Sequence, residues 1–483
     1  LLGEVERRNL FLTRFGDDTR AVYRYHNLFR DFLQTQLRRR LPELHADLHR
    51  RAGDWFESDH DVEEAVYHYL AAEAYPEATA LMEQVAMEWF TRGRVETLLR
   101  WARALPDDVR NQAPRLALFQ SKVLTDRYEY DEGRAALTYA EAGFSARGDD
   151  VRLAKVYAQR GMLSLFQGCH KEAIEETQKA LDILGPSETA ERAQAQRLIG
   201  RAYVALGRFH EGIEQLREAV ALARQVGASY NVVLLLQDLT LAFASYGHLD
   251  EAAACLSEAL PLARRLGSAS QLAGVLNNLG WLHDARGEYR AALELYEEGL
   301  AAARRADDPR SQANIAEGMA TAYRNIGDYR RAEFLYDVAW RIARESSPGL
   351  AFLILSARAD MYRWQGDSAR ALSLLEQARG LVEEKRLESE SKGLLPVAEG
   401  MALTESGEIE RGLGLLSDGV AFLDEQQARQ DLARAQFLLA KAHFLAGDKG
   451  RAVKELSRAI DLGQEMGTDQ FTVVEGQHVP ELL

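Results

Sequence analysis

Cysteine is almost absent from this chain of 483 residues, which has only Cys169 and Cys255. The two lie far apart without metal-ligand spacing, so the sequence excludes a disulfide framework and favours a reducing compartment. No apolar run reaches the roughly 20 residues that a membrane helix needs. The first residues are charged where a secretory signal would be apolar. We therefore expect a cytoplasmic protein with no membrane partner. Because the initiator methionine is missing, we expect a piece of a longer protein.

Positive charge is in deficit, with 59 Lys and Arg against 74 Asp and Glu and a formal net charge of −15. Such a chain repels phosphate backbones on average, which argues against direct nucleic-acid binding. No Gly-Lys dipeptide occurs, so the phosphate-binding GxxxxGK[ST] loop is missing as well. No nucleophile has a recognisable histidine and acid partner. The sequence predicts a non-enzyme with no catalytic residues, no metal site and no cofactor.

A short sequence motif centred on glycine, by contrast, recurs along most of the chain. The intervals between successive glycines are 39 to 41 residues. A period this regular indicates a solenoid, because a unit of this size buries its apolar face only by stacking on its neighbours. The glycines are Gly168, Gly207, Gly247, Gly287, Gly327, Gly366, Gly407 and Gly447.

The residues around each glycine predict the form of the unit. Small residues stand seven positions before it and five and twelve positions after it, as in Gly280, Ala292 and Gly299. Small side chains allow two helices to cross closely, and glycine allows the positive φ of a tight turn between them. A bulky residue, such as Tyr296, fills the slot nine positions after most of the glycines. Each unit is therefore predicted to be helix, turn, helix.

This pattern resembles the tetratricopeptide repeat, and the best match is "LNNLGWLHDARGEYRAALELYEEGL" at 276–300. The resemblance implies an all-α, right-handed superhelical solenoid. The unit here is about 40 residues rather than the usual 34, and the proline expected after the second helix is missing. We infer that the second helix runs on for more than a turn through the arginines in that place. These are Arg224, Arg264, Arg304 and Arg344.

Before the repeats, "YRYHNLFRDFLQTQLRRR" at 23–40 and "LHRRAGDWF" at 48–56 resemble the junction in MalT-like regulators of the STAND class, the signal-transducing NTPases with numerous domains. The resemblance implies a nucleotide-binding module upstream of this chain as a further partner. It also divides the chain into a winged-helix end and junction at 1–55, irregular helical pairs at 56–125, a superhelix at 126–466 with a degenerate first repeat and eight regular ones, and a tail at 467–483 leading to a missing or ended domain.

Candidate binding residues lie on the first helix of each unit, ten, six, three and two positions before the glycine. The resemblance implies that these positions line a concave groove. Two tryptophans among Arg, Asn and Asp favour an interaction site over a solvated face, although the solvated face stays an alternative. The expected occupant is a protein, a peptide or a small-molecule effector. The candidates are Arg197, Arg201, Gln237, Asn277, Trp281, Asp284, Glu317, Arg324, Asn325, Asp360, Arg363 and Trp364.

Histidines supply the remaining candidates for chemistry. His45 and His49 are four apart on a predicted helix, a spacing that suits a metal ion, but no third ligand is evident and helix packing is the favoured interpretation. His283 and His443 occupy a slot that is aromatic in other units and are predicted to be packing residues.

Three functions follow from the sequence. The first is a sensor region of a STAND-type transcriptional or signalling regulator, in which groove binding is coupled to the absent ATPase. The second is a passive scaffold for protein assembly or self-association. The third is part of an antiphage or death-type effector of the same NTPase class, which only the flanking sequence can distinguish.

The missing phosphate loop yields the first prediction. A triphosphate cradle needs backbone N–H groups from a glycine-rich loop and a lysine, so the purified chain is expected neither to bind ATP specifically nor to hydrolyse it. Phosphate release measured with and without Mg²⁺ tests this. Saturable, magnesium-dependent hydrolysis would contradict it.

Overall fold

The computed structural model describes residues 12–15, 22–91, 95–127, 129–385, 387, 390–426, 428–466 and 470–482. They divide into two compact units, Leu1–Gly148 and Asp149–Leu483. Parts of all four predicted segments fall outside the described residues, namely 1–11 and 16–21 of the winged-helix end and junction, 92–94 of the irregular helical pairs, 128, 386, 388–389 and 427 of the superhelix, and 467–469 and 483 of the tail.

The first unit begins with a small antiparallel sheet in which Thr13 lies opposite Arg24. Helices follow, and their core includes Trp89 and Trp101, whose rings lie 4.8 Å apart between centroids. The all-α prediction did not include the two strands. The elements are β1 Leu12–Phe15, β2 Val22–Tyr25, α1 Asn27–Arg40, α2 Pro42–Ser58, α3 Val62–Ala71, α4 Tyr75–Thr91, α5 Val95–Ala104, α6 Asp107–Gln112, α7 Pro114–Asp126 and α8 Tyr130–Ala146.

The second unit is helical throughout its described residues and consists of consecutive helix pairs, with each helix packed on the next. This confirms the predicted superhelix of tetratricopeptide-like repeats. The pairs are α9 Asp150–Phe166 with α10 His170–Ile183, α11 Thr189–Ala205 with α12 Phe209–Gln225, α13 Ser229–Tyr246 with α14 Leu249–Leu266, α15 Ala269–Ala285 with α16 Tyr289–Arg305, α17 Pro309–Ile326 with α18 Tyr329–Ser346, α19 Pro348–Trp364 with α20 Ser368–Lys385, α21 Leu395–Ser406 with α22 Ile409–Glu425, and α23 Arg429–Leu445 with α24 Lys449–Met466. A π turn at Glu390–Leu394 precedes α21, and α25 Gln470–Gly476 and a 3₁₀ turn at Pro480–Leu482 follow the last pair.

The repeat glycines make the turns between paired helices, as predicted. All eight have positive φ, from 72° at Gly207 to 102° at Gly407. Glycine adopts this conformation at no steric cost, whereas a β-branched residue would be strained. The turn thereby fixes where each first helix ends and its partner begins.

Close crossings hold the paired helices together, and Tyr296 of α16 is the clearest case. Its side chain is 2% exposed and lies between Gly280 of α15 and Gly318 of α17. A Cβ built on either glycine would be 2.6 Å from a Tyr296 ring atom. The ring therefore fits only because both neighbours lack a side chain, and one aromatic residue joins two successive units.

The second helices run on through the predicted arginines, which accounts for the long unit. Helix α14 ends at Leu266 and α16 at Arg305, both beyond the arginines at 264 and 304. Arg264 also reaches Glu298 of the next second helix at 3.1 Å. Exposed pairs of this kind contribute little stability each, so we regard them as lateral contacts on the outer face.

The repeat array closes on itself. Helix α13 packs against α23, which lies five units further along the chain. Gly207, in the turn after α11, contacts the backbone of Gln426, and Gly247 contacts the side chain of Met466. First helices from successive units therefore surround a central space.

The crossing at Gly280 yields the second prediction. Gly280→Leu should overpack the crossing and lower the free energy of unfolding by about 1–3 kcal/mol. Because coupling in a solenoid is nearest-neighbour, hydrogen exchange should increase first between residues 240 and 330. Gly414→Leu is the matched control, since a Cβ at this exposed helical glycine would meet nothing within 4 Å. Equal effects of the two changes would contradict this packing.

Candidate functional site

A cavity of about 400 Å³ lies inside the repeat array. It is lined chiefly by the first helices α15, α17, α19, α21 and α23, with Phe352, Leu353 and Val397 on its apolar side. A smaller cavity of about 190 Å³ shares Trp281 and Arg324 with the larger one. The closure of the array thus produces a half-open space with mixed polar and apolar walls.

Seven of the predicted residues lie at these two cavities. Trp281, Asp284 and Arg324 line both, Glu317 and Asp360 line the larger, and Asn325 and Trp364 line the smaller. They come from three successive first helices, as expected for positions repeated every 40 residues. That they bind a ligand remains a prediction.

Four predicted residues lie elsewhere on the first helices. Arg201 lines a separate cavity of about 420 Å³ together with Asp238, and Arg197 pairs with the same aspartate. The Gln237 amide donates to Gln271 at 3.0 Å. The Asn277 amide lies 3.5 Å from Oδ1 of the adjacent Asn278. None of these four residues lines the two cavities described above.

Arg324 connects several of the side chains that line the two cavities. Its guanidinium carbon lies 4.7 Å from the centroid of the Trp364 ring, a cation–π geometry. Its Nη2 donates to Asn325 Oδ1 at 3.0 Å, and the Asn325 amide approaches Asp284 at 3.5 Å. The chain of contacts links three successive units, α15, α17 and α19.

Burial changes the acid–base behaviour of the carboxyl groups in the larger cavity. It raises the pKa of Asp284 to about 7, although Arg324 acts in the opposite direction. Burial likewise raises the pKa values of Glu317 and Asp431. Asp284 therefore exchanges its proton near neutral pH, so the charge of the cavity depends on pH and on any charged ligand inside it.

The twelfth candidate, Arg363, is at the centre of a buried ion network that sequence reasoning missed. Its Nη2 donates to Glu475 at 2.8 Å, and Arg434 donates to the same carboxylate at 2.6 Å. The indole Nε1 of Trp364 donates to it at 3.1 Å. Burial alone would raise the pKa of Glu475, but the two arginines outweigh it and hold the pKa far below its usual range.

The sequence offered little signal for this network. Arg434 stands thirteen positions before Gly447, outside the four rows of candidate positions. Glu475 lies in the segment interpreted as a tail leading elsewhere, where a seven-residue helix shows no usable periodicity. The contact between Arg363 and Glu475 joins residues 112 positions apart. Local sequence patterns do not indicate contacts of that separation.

The histidines of the first unit pack against one another. His45 is 5% exposed, and its ring lies 4.4 Å from that of His49 between centroids. Nδ1 of His49 lies 2.8 Å from Nδ1 of His68. Burial and the neighbouring histidines lower the pKa of His49 to about 4. Across the described residues, no group of three or more His, Cys, Asp or Glu side chains is placed to hold a metal ion.

The two remaining histidine candidates lie in the second unit. His443 is buried in α23, and His283 contacts Glu288 at the turn of its own unit. No described helix has an apolar stretch long enough to cross a membrane.

Residues 191–265 and 244–305 match the tetratricopeptide repeat. Residues 1–45 match the MalT winged helix domain, so a MalT winged-helix segment precedes the repeats. Residues 416–474 also match anaphase-promoting complex subunit 5.

Several solved structures are similar. A Rap protein complexed with competence and sporulation factor has 15% identity, covers 86% of this chain and 99% of its own, and gives a TM-score of 0.47. The apo quorum sensor NprR from B. thuringiensis has 14% identity, with 84% and 99% covered and a TM-score of 0.44. BtubC from P. vanneervenii has 21% identity, with 44% and 91% covered and a TM-score of 0.39.

Asp284 yields the third prediction. Its pKa is about 7 in the folded chain and about 4 when unfolded. The folded state therefore keeps a proton that the unfolded state has lost, and stability falls as the pH rises from about 4 to about 7. Asp284→Asn should remove this loss and raise the free energy of unfolding by roughly 1–2 kcal/mol at pH 8, after allowance for screening by solvent.

Denaturant unfolding at pH 5 and pH 8 measures the effect. The control is Asp418→Asn, at an exposed position of α22, which should leave the pH dependence unchanged. An Asp284→Asn chain with the same pH dependence as the unaltered protein would contradict the assignment.

Proposed function

We propose that the repeat array is the effector-binding sensor region of a signalling or transcriptional regulator. A protein, peptide or small-molecule effector binds in the central space and changes the state of a nucleotide-binding module that lies outside this chain. The main support is the combination of a MalT winged-helix match at residues 1–45 with a repeat array that encloses a cavity of mixed character.

The nature of the cavity wall favours binding over an inert surface. Trp281 lines both cavities, and Trp364 lines the smaller one with the Arg324 guanidinium against its ring. Aromatic and arginine side chains are the residue types that dominate binding energy in protein interfaces. Apolar area from the exposed Leu353 completes a surface on which a ligand with both apolar and charged groups fits.

The closed array also gives binding a mechanical consequence. A ligand that contacts α15, α17 and α19 together bears on the relative positions of three units, and α13 contacts α23 across the closure. An effector that fits one spacing of the units better than another shifts the array toward that spacing, which is the requirement for allosteric coupling. A passive scaffold would not need this differential fit.

The fourth prediction concerns the groove. An effector captured by the full chain and identified should lose roughly 2 kcal/mol or more of binding energy on Trp281→Ala or Arg324→Ala, because each change removes a central contact. Calorimetric titration measures the affinity, and thermal unfolding verifies that each variant remains folded.

The matched control is Arg304→Ala, an exposed arginine on the outer helix α16. It should bind with unaltered affinity. If the control lost affinity while both groove variants kept it, the binding site would lie on the outer face and the sensor proposal would fail.

A further inference from the structure

The end of the chain occupies one side of the central space. Helix α25 and the 3₁₀ turn after it are not a repeat pair, yet Glu475 is fully buried and Val474 and Glu475 help to line the smaller cavity. The same cavity is lined by Trp281, Arg324 and Trp364. A ligand that reached Trp364 would therefore meet the C-terminal segment.

The donors around Glu475 form a complete carboxylate site. Nη2 of Arg363 lies 3.1 Å and 2.8 Å from the two carboxylate oxygens of Glu475. The Arg363 guanidinium therefore contacts both oxygens. Arg434 donates through both Nε and Nη2 to Oε1, at 3.2 Å and 2.6 Å. The Trp364 indole N–H completes the set at 3.1 Å. Paired guanidinium groups are the usual means of recognising a carboxylate.

The cationic side chains of this site also pair with carboxylates of the repeat helices. Arg363 also pairs with Asp360 and, at 3.0 Å, with Glu405. Arg434 pairs with Asp360 at 2.6 Å, and Lys441 pairs with Glu405 at 2.6 Å. Three cations thus face two carboxylates from the repeats, and Glu475 supplies the third negative charge. The repeat helices hold the donors in place and leave one anion to be provided.

The segment that provides it is short. Helix α25 has seven residues, well below the length at which an isolated helix is stable in water. Its Val473 is 55% exposed. Among its described side chains, Glu475 is joined by the buried Val474, by Val479 and Leu482, which pack with Phe437 and Ala459, and by His478, which stacks on Trp364 at 4.8 Å. Such an element belongs to the low-stability part of a structure, which opens locally.

We propose that Arg363, Arg434 and Trp364 form a carboxylate subsite of the effector groove, which takes an aspartate or glutamate side chain of a peptide segment. The segment Gln470–Leu482 is its resident intramolecular occupant and competes with that peptide through Glu475. This inference rests on the proposed function, because it assigns a ligand chemistry to part of the same groove.

The experiment uses the full chain and, as probe, a fluorescently labelled synthetic peptide with the chain's own final sequence, QFTVVEGQHVPELL. A tethered occupant acts at an effective concentration in the millimolar range, so the unaltered chain should bind the probe poorly. Glu475→Gln weakens the tethered copy, and binding of the probe should tighten by at least about tenfold. Fluorescence anisotropy gives the affinities.

Three controls make the result specific to the carboxylate. The probe with its own glutamate at the sixth position replaced by glutamine should not bind the Glu475→Gln chain. Adding Arg434→Gln to that chain should also abolish binding. Glu481→Gln, at an exposed position of the same segment, should leave the chain as resistant to the probe as the unaltered protein.

Removal of one buried charge can disturb folding, so a second variant leaves every charge in place. Val479→Ser removes an apolar anchor of the segment and should likewise admit the probe and increase hydrogen exchange at residues 470–482. Probe binding that is the same in all chains, or that ignores the peptide's glutamate, would overturn the proposal and leave Glu475 a structural ion pair.

The outcome is separable from that of the proposed function. An effector captured through Trp281 and Arg324, with no change in probe binding on Glu475→Gln, retains the sensor and removes the carboxylate subsite. If the probe binds in a glutamate-dependent way but no effector binds through Trp281 and Arg324, the carboxylate subsite is retained and the sensor proposal fails.

Discussion

The close crossing of the two helices in each unit is the constraint on which the rest of the structure depends. Glycine or alanine at the crossing lets the helix backbones approach, and Tyr296 fits between Gly280 and Gly318 only because neither has a side chain. The crossing fixes the angle within a pair, and stacking repeats that angle along the array. The contact of α13 with α23 and the half-open cavity between the first helices depend on this repeated packing.

Enclosure has an electrostatic consequence. Side chains that would be solvated on an open repeat surface are withdrawn from water, so burial raises the pKa values of Asp284 and Glu317. Burial would lower the pKa of Arg363, but the surrounding carboxylates outweigh it and hold that pKa above its usual range. Buried charges are tolerated only when they are paired. The inner wall therefore holds its arginines and carboxylates in defined contacts, and a ligand entering the space must match or replace one of them.

The C-terminal segment shows how such a wall accepts an extra element. The repeats bring Arg363 and Arg434 together from units whose residues are far apart in sequence, and Glu475 neutralises them from a third segment. The segment adds no repeat of its own. It uses donors that the array already presents, which distinguishes it from the helix pairs that build the array.

The sequence by itself determined the repeat period, the helix pairs, the turn glycines and the inner face of the first helices. These depend on spacing within one unit, and a residue such as Gly280 carries its packing role in its local pattern. Only the tertiary structure decided which inner residues meet. Stacking of successive first helices brings Trp281, Arg324 and Trp364 to a shared cavity, and closure of the array adds α23 and the C-terminal segment to it. Gln237 and Asn277 do not line that cavity. The position of Glu475 was beyond sequence reasoning for the same reason, because an ion pair between residues 112 positions apart depends on the summed curvature of the whole array rather than on any local pattern.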